Sequence, residues 1–193
     1  MKKSNEDLLD DLLKEIENCD IIIELGSNIG SITTELLKYN KKVYAFEPEP
    51  IAFEKLQQLQ NHNLVISNNA AWIKNEKLFF YRHKDWEVSQ SHTSSSLIST
   101  KNNIDSRNKI TVNAIDIIEF IEQFNCRILI KMDIEGAEYR IINKLLKTKS
   151  IKNITKIFCE FHPTKIKYGR ILHIITIIHI FLRKKSTLFV NWF

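Results

Sequence analysis

Short apolar runs along this chain alternate with stretches whose apolar residues recur at helical spacing, and that alternation predicts the elements. Met1 to Asp20 is charged but carries Leu8, Leu9, Leu12, Leu13 and Ile16 on one side, which predicts a first helix. Ile21-Ile22-Ile23-Glu24-Leu25 reads as a buried strand and is followed by a helix from about Ile29 to Tyr39. Lys42 to Glu47 is the next strand, Pro48 and Pro50 open a helix with Phe53, Leu56 and Leu59, and Leu64 to Ile66 is a third strand. This βαβαβ order predicts parallel strands, right-handed crossovers and helices on both faces.

The middle is less regular. Lys77 to Tyr81 reads as an extra strand, and Asp85 to Asn108 is a long polar, serine-rich loop of the kind that forms lids or binding segments. Ile110 to Val112 resumes as a strand, with Asp116 in the first turn of a helix through Phe124. The second half repeats the alternation: strand Arg127 to Asp133, helix Ala137 to Lys147, strand Lys156 to Phe161, helix Tyr168 to Arg183 and a last strand over Thr187 to Phe193. In that last helix Gly169, His173, Thr176, His179 and Arg183 fall on one side and Ile171, Ile174, Ile175, Ile178 and Leu182 on the other. A helix packing its isoleucines on the sheet with a solvated polar stripe is expected; Ile177 and Ile180 interrupt the stripe and leave a partner or membrane contact open. Its apolar run, Ile171 to Leu182, is shorter than the ~20 residues a bilayer span needs, so no transmembrane segment is expected. The organisation expected is a helix over residues 1–19 packed on a single domain over 20–193.

Candidate chemistry gathers at strand ends. Lys131-Met132-Asp133-Ile134-Glu135-Gly136-Ala137-Glu138 closes the apolar run Ile128-Leu129-Ile130, and the carboxyl end of a central strand is where an open α/β sheet holds its ligand. Glu138 is read as a charge favouring the start of the next helix. Glu24-Leu25-Gly26-Ser27-Asn28-Ile29-Gly30 follows the first strand, and its glycines allow a sharp turn and close approach of a ligand to the main chain. An acid before such a loop suits a ligand offering an ammonium group and hydroxyls. Glu47, 17 residues beyond Gly30, ends the second strand where a carboxylate can accept from both ribose hydroxyls. Asn69-Ala70 stands where an adenine edge could be read.

Composition narrows the setting. The 193 residues, 44% hydrophobic, suit one domain, and three scattered cysteines (Cys19, Cys126, Cys159) have neither metal spacing nor a disulfide framework. Together with the absence of a secretion-signal block at the N-terminus, this leads to the expectation of a cytoplasmic protein. The net charge of +5 is unevenly spread: residues 1–138 hold 16 Lys and Arg against 22 Asp and Glu, whereas residues 139–193 hold 12 against Glu160 alone. A basic final third can meet an anionic surface or nucleic acid, or be a solvated face.

Taken together, the chain resembles the FkbM-type family of S-adenosylmethionine-dependent methyltransferases over roughly residues 20 to 165. The resemblance rests on Glu24 to Gly30, Val43 to Pro48, Asn69-Ala70-Ala71, Ser94 to Leu97, Val112 to Asp116, Lys131 to Glu138 and Glu160-Phe161-His162. It implies a Rossmann-like class I methyltransferase fold, a three-layer αβα sandwich on a mostly parallel sheet of seven strands, with a C-terminal hairpin that the remaining chain shortens. It also implies S-adenosylmethionine as cofactor and O-methylation of a hydroxyl on a sugar, glycan or related small molecule. Carried onto this chain, the resemblance places Glu24, Gly26 and Gly30 on the methionine part, Glu47 on the ribose, Asn69 and Ala70 on the adenine, and Asp133 beside the sulfonium, with Asn28 also among the cofactor-binding residues.

For catalysis, a hydroxyl acceptor benefits from a base or a metal. Asp133 and His162 are the candidate bases, Lys131 orients Asp133, and Glu135 is a second acid. Asp133, Glu135, Glu160 and His162 could instead hold a divalent ion, which the spacing does not require. Competing readings are a nucleic-acid-binding or nucleic-acid-modifying protein using the basic final third, and a cofactor-binding homologue without catalysis.

Overall fold

The computed structural model describes residues 5–86 and 94–191. Six parallel strands form the central sheet: β1 (Ile21–Leu25), β2 (Lys42–Phe46), β3 (Leu64–Ser67), β7 (Ile128–Met132), β8 (Ile154–Cys159) and β9 (Phe189–Asn191). Their order, β3-β2-β1-β7-β8-β9, reverses direction between β1 and β7. A crevice opens beyond the carboxyl ends of strands at such a switch point. The register there pairs Glu24 with Lys131 and Leu25 with Met132, so the Gly26 loop and the Asp133 loop leave the sheet side by side.

Successive side chains of a strand point to opposite faces, and both faces here are apolar. Ile128, Ile130 and Met132 join a cluster with α4 (Ile117–Glu122) and α5 (Glu138–Leu145), whereas Leu129 packs with Leu8, Leu12 and Leu36 of α1 (Asn5–Glu15) and α2 (Ser31–Leu37). This produces the expected Rossmann-like three-layer arrangement. The helix α3 (Pro50–Leu56) starts on Glu49, whose side chain accepts from the Ile51 and Ala52 amides, with Pro50 preset for the first turn.

Four expectations change. The polar segment from Asp85, whose residues 87–93 lie outside the described ones, gives up its end to a strand: Ile104–Asp116 forms one 13-residue strand, β6, absorbing Ile104 to Asn108 and the strand expected at Ile110. It pairs antiparallel with β5 (Glu76–His83) and parallel with β4 (Ala70–Trp72), giving a second, three-stranded sheet. Cross-strand pairing overrides the polarity of these residues, because β6 is buried only at Ile104, Val112, Ala114 and the capping Asp116. Asp116 ends β6 and caps α4, accepting from the Ile118 and Glu119 amides rather than lying within the helix. At the C-terminus β9 runs parallel to β8, and a seventh, antiparallel strand is not among the described residues; Trp192 and Phe193, placed in the last strand by sequence, lie outside them.

The last helix, α6 (Gly169–Leu182), has the opposite orientation to that expected. Thr176 is fully buried, and its hydroxyl accepts from Asn143 Nδ2 of α5 at 2.7 Å. His179 Nδ1 lies 2.7 Å from Asn143 Oδ1, and His173 packs edge-on against Tyr139 and Phe161. The polar stripe therefore faces inward on α5 because Asn143 satisfies it, and the isoleucine stripe faces out. No described helix is long and apolar enough to cross a membrane.

Candidate active site

Beyond the carboxyl ends of β1, β2 and β7 lies an open cleft. Its floor is Gly26, Asn28, Phe46, Glu47, Asp133 and Glu135, and its far wall is Ala70 and Phe80 from the second sheet with Ser94, Ser95 and Leu97 from the segment between β5 and β6. Gly26 has φ +82°, and a Cβ there would lie 1.9 Å from the Asp133 carbonyl oxygen. Only glycine lets the two loops come this close.

Glu47 is held from both sides. Its Oε2 accepts the Asn28 amide at 2.8 Å and its Oε1 the Glu49 amide at 2.8 Å. Asn68 braces its backbone by donating to the Glu47 carbonyl at 2.8 Å. Burial raises the Glu47 carboxyl to about 7, against the pull of those amides. A carboxylate offers about four acceptor sites, so two remain for ligand hydroxyls.

Asp133 stands at the centre of the acidic residues that line this cleft. Its Oδ2 lies 3.8 Å from Lys131 Nζ, while Oδ1 is buried without a hydrogen-bond partner among the described residues. Burial raises its pKa to about 6, Lys131 opposing and Glu160 and Glu135 reinforcing. Asn28 Oδ1 is a second buried acceptor without a partner. An unpartnered buried acceptor is costly, and cleft-lining ones are suited to a ligand that donates.

Glu135 is held differently. It has φ +56°, and its Oε2 pairs with Lys101 Nζ at 2.8 Å and Lys165 Nζ at 3.5 Å. Burial opposes its charge, but His162 and the two lysines outweigh that and lower its pKa. Ser96 Oγ donates to the Glu135 carbonyl at 2.7 Å, tying the far wall to the loop.

His162 sits behind the cleft rather than on its lining. Its Nδ1 donates to Glu138 Oε1 at 2.8 Å, while Nε2 lies 3.2 Å from Glu160 Oε1, 3.3 Å from Glu135 Oε2 and 3.9 Å from Asp133 Oδ1. Burial works against an imidazolium, but this ring of carboxylates raises His162 to about 10. Glu138 is fully buried and receives the Gly136 and His162 amides, so it is a structural tie between two strand ends rather than merely a helix-start charge.

Of the residues read from sequence, Gly26, Asn28, Glu47, Ala70, Asp133 and Glu135 meet at this cleft. The others stand away from its lining. Glu24 is fully buried beneath the loop, its Oε2 accepting from Thr33 Oγ1 at 2.6 Å, and burial raises its pKa against the pull of Lys131. Gly30, at φ +90°, is crowded by Leu59 and Leu56; Asn69 bonds Ser67; and Lys131 lies beneath Asp133. Sequence reading missed Lys101, fully buried against Glu135, and Asn68; neither has a periodic signal, though Asn68 adjoins a residue already singled out. Asp133, Glu135 and His162 also offer donor atoms within 4.8 Å of one another, a set able to hold a divalent ion.

The chain matches the Methyltransferase FkbM domain across residues 24–185. It belongs to the FkbM methyltransferase family. This FkbM-family chain is also similar to "Ribosomal RNA small subunit methyltransferase A" of Clostridium botulinum (strain Loch Maree / Type A3), 37% identical over 67 residues, 32% of this chain and 24% of that protein. The protein of the same description from strain ATCC 19397 / Type A is 36% identical over 67 residues, with the same shares. The chain thus spans about a quarter of the length of the curated relatives it matches. No solved structure matches it.

Membership of the FkbM family implies S-adenosylmethionine as cofactor, and the cleft suits that molecule. Glu47 retains acceptor capacity for two hydroxyls, and the unpartnered Asn28 Oδ1 and Asp133 Oδ1 suit ligand donors such as an ammonium or hydroxyl group.

Proposed function

We propose that this FkbM-family protein is an S-adenosylmethionine-dependent methyltransferase acting on a hydroxyl of a sugar, glycan or related small molecule. The observation that carries the reading is Asp133: a half-buried carboxylate whose Oδ1 is buried without a hydrogen-bond partner among the described residues, lining the same cleft as Gly26 and Glu47. Bound there, the cofactor supplies an electrophilic methyl group, which leaves to the protein the tasks of positioning the acceptor and removing its proton. Gly26, Asn28, Glu47 and Ala70 are assigned to cofactor binding, with Glu24, Gly30 and Asn69 holding the loops from beneath or beside.

Asp133 is assigned as general base. With its pKa raised to about 6 it is ionised at neutral pH yet more basic than an ordinary aspartate, and Oδ1 is free to take the acceptor proton. Lys131, 3.8 Å away, holds Oδ2 and keeps the carboxylate oriented. His162 is assigned to orientation and charge balance: as an imidazolium it has no lone pair with which to accept a proton. Glu135, already paired with Lys101, is assigned to hydrogen-bonding the acceptor. A divalent ion at Asp133, Glu135 and His162 would have to displace Lys101 and discharge His162, so the metal-free base is the favoured route.

The partial likeness to ribosomal RNA methyltransferases supports a second reading, methylation of RNA. Against it, the charged cleft-lining residues are Glu47, Asp133 and Glu135, and such carboxylates repel phosphate. Titration calorimetry with S-adenosylmethionine and its demethylated product tests the assignment. Binding by the wild type and a loss of at least about tenfold in Glu47→Ala are expected, since charge-assisted hydrogen bonds contribute about 1.5–3 kcal/mol. Unchanged binding in that variant would remove the cofactor assignment. Methylation of hydroxylated acceptors with magnesium and with chelator then decides on the metal, and salt-sensitive methylation of RNA in place of those acceptors would favour the second reading.

A further inference from the structure

The outward face of α6 has no role in the cleft and no cover among the described residues. Ile171, Ile174, Ile175, Ile178, Phe181 and Leu182 are each more than half exposed, Phe181 and Leu182 at 72% and 70%. A contiguous apolar stripe of this kind marks an interaction surface rather than ordinary scatter. The inward side of the same helix is fixed by Asn143, so the isoleucines cannot turn inward without breaking the Thr176 and His179 contacts.

Cations stand at both ends of the stripe. Lys167 and Arg170 precede or open the helix, and Arg183 and Lys184 follow it, all exposed. From residue 161 to 193 the chain contains no Asp or Glu. Tyr168, exposed at the N-terminal end beneath the Lys167 ammonium at 5.1 Å, adds an aromatic ring of the kind that settles at headgroup level. Fourteen residues of helix extend about 21 Å, short of the ~30 Å hydrocarbon core, so such a helix lies in the membrane plane rather than across it.

We propose that α6 docks the protein on an anionic phospholipid surface, its isoleucine face entering the acyl boundary and its terminal cations meeting headgroup phosphates. Charge decides between this occupant and a second copy. A two-fold pair of α6 helices brings cations against cations whether the helices run parallel or antiparallel, and residues 161–193 supply no acid to relieve them. An anionic bilayer neutralises both ends at once.

The test is co-sedimentation of the purified protein with phosphatidylcholine vesicles, with and without phosphatidylglycerol. Binding is expected on the phosphatidylglycerol vesicles, reduced several-fold as salt shortens the Debye length to about 3 Å. Ile174→Glu/Ile178→Glu is expected to weaken it about tenfold or more, because charge is placed in the buried face. Both sites are exposed, so unchanged thermal unfolding and cofactor binding establish that the variant is folded. Arg183→Glu/Lys184→Glu is expected to abolish the preference for phosphatidylglycerol while leaving folding intact. Absence of vesicle binding by the wild type, or equal binding by the isoleucine variant, overturns the proposal. Dimerisation abolished by Ile174→Glu/Ile178→Glu, without vesicle binding, gives the face to a second copy and overturns it as well; RNA binding in place of vesicle binding does the same.

Discussion

The two oxygens of Asp133 have different surroundings, and that difference carries the chemistry proposed for it. Oδ2 faces Lys131, whereas Oδ1 has no donor within hydrogen-bond distance among the described residues, His162 Nε2 standing 3.9 Å away. Asp133→Asn keeps the shape but removes the base, so kcat is expected to fall by about 10²–10⁴-fold with cofactor affinity little changed. Since the carboxyl is raised to about 6, kcat of the wild type should climb as pH rises through about 6, and the residual activity of the variant should lack that limb. A variant with wild-type kcat excludes the assignment. Glu47, raised to about 7, titrates separately: cofactor affinity should increase as pH rises through about 7, seen by calorimetry, and Glu47→Gln should flatten the dependence. The pair was legible in sequence because both residues end apolar strands. Lys101 was not, since it stands in a polar stretch without period, and its burial follows from Glu135 rather than from its neighbours in the chain.

At the scale of elements, the strand-to-helix turns are where geometry is least forgiving. Gly26 combines a left-handed φ with a backbone neighbour that cannot move aside. Gly26→Ala is expected to destabilise by at least about 2 kcal/mol, measured by denaturant unfolding, since the left-handed conformation alone costs an L-residue about 1–2 kcal/mol. Stability within a few tenths of wild type would show that the β1 and β7 loops can separate. The central strands were readable because five-residue apolar runs buried on both faces have few other uses. The orientation of α6 was not readable: periodicity divides a helix into two sides but does not say which faces the protein. Here Asn143, one residue on another helix, turns the polar side inward.

Across the whole molecule, the cluster around His162 joins the end of β7 to the end of β8. Glu138 reaches from the start of α5 to both the Gly136 amide and the His162 ring. Because the folded pKa of His162, about 10, lies above its ordinary value near 6.5, its contribution to stability is complete below about pH 6.5 and is lost as pH rises through about 10. His162→Gln should therefore cost about 3 kcal/mol or more at pH 6, the scale for breaking a buried ion pair, and less near pH 10. Unfolding curves at the two pH values check this, and an equal loss at both would mean that the ring is not held as a cation. The parallel strands and both helical layers followed from the alternation of runs, whereas the second sheet did not, because β6 draws its order from β5 and β4 rather than from its own residues.

That division into two sheets bears on how such a protein can change its preferences. The cleft floor depends on a glycine that accepts no substitute and on main-chain atoms of the Asp133 loop, so replacements there threaten folding before they alter selectivity. The opposite wall includes individual side chains, Phe80, Ser94, Ser95 and Leu97, carried by β5 or by its connection to β6, outside the central sheet. Engineering toward a different acceptor has its freedom at those four side chains, where a residue can be exchanged without disturbing the floor on which the methyl donor is proposed to bind.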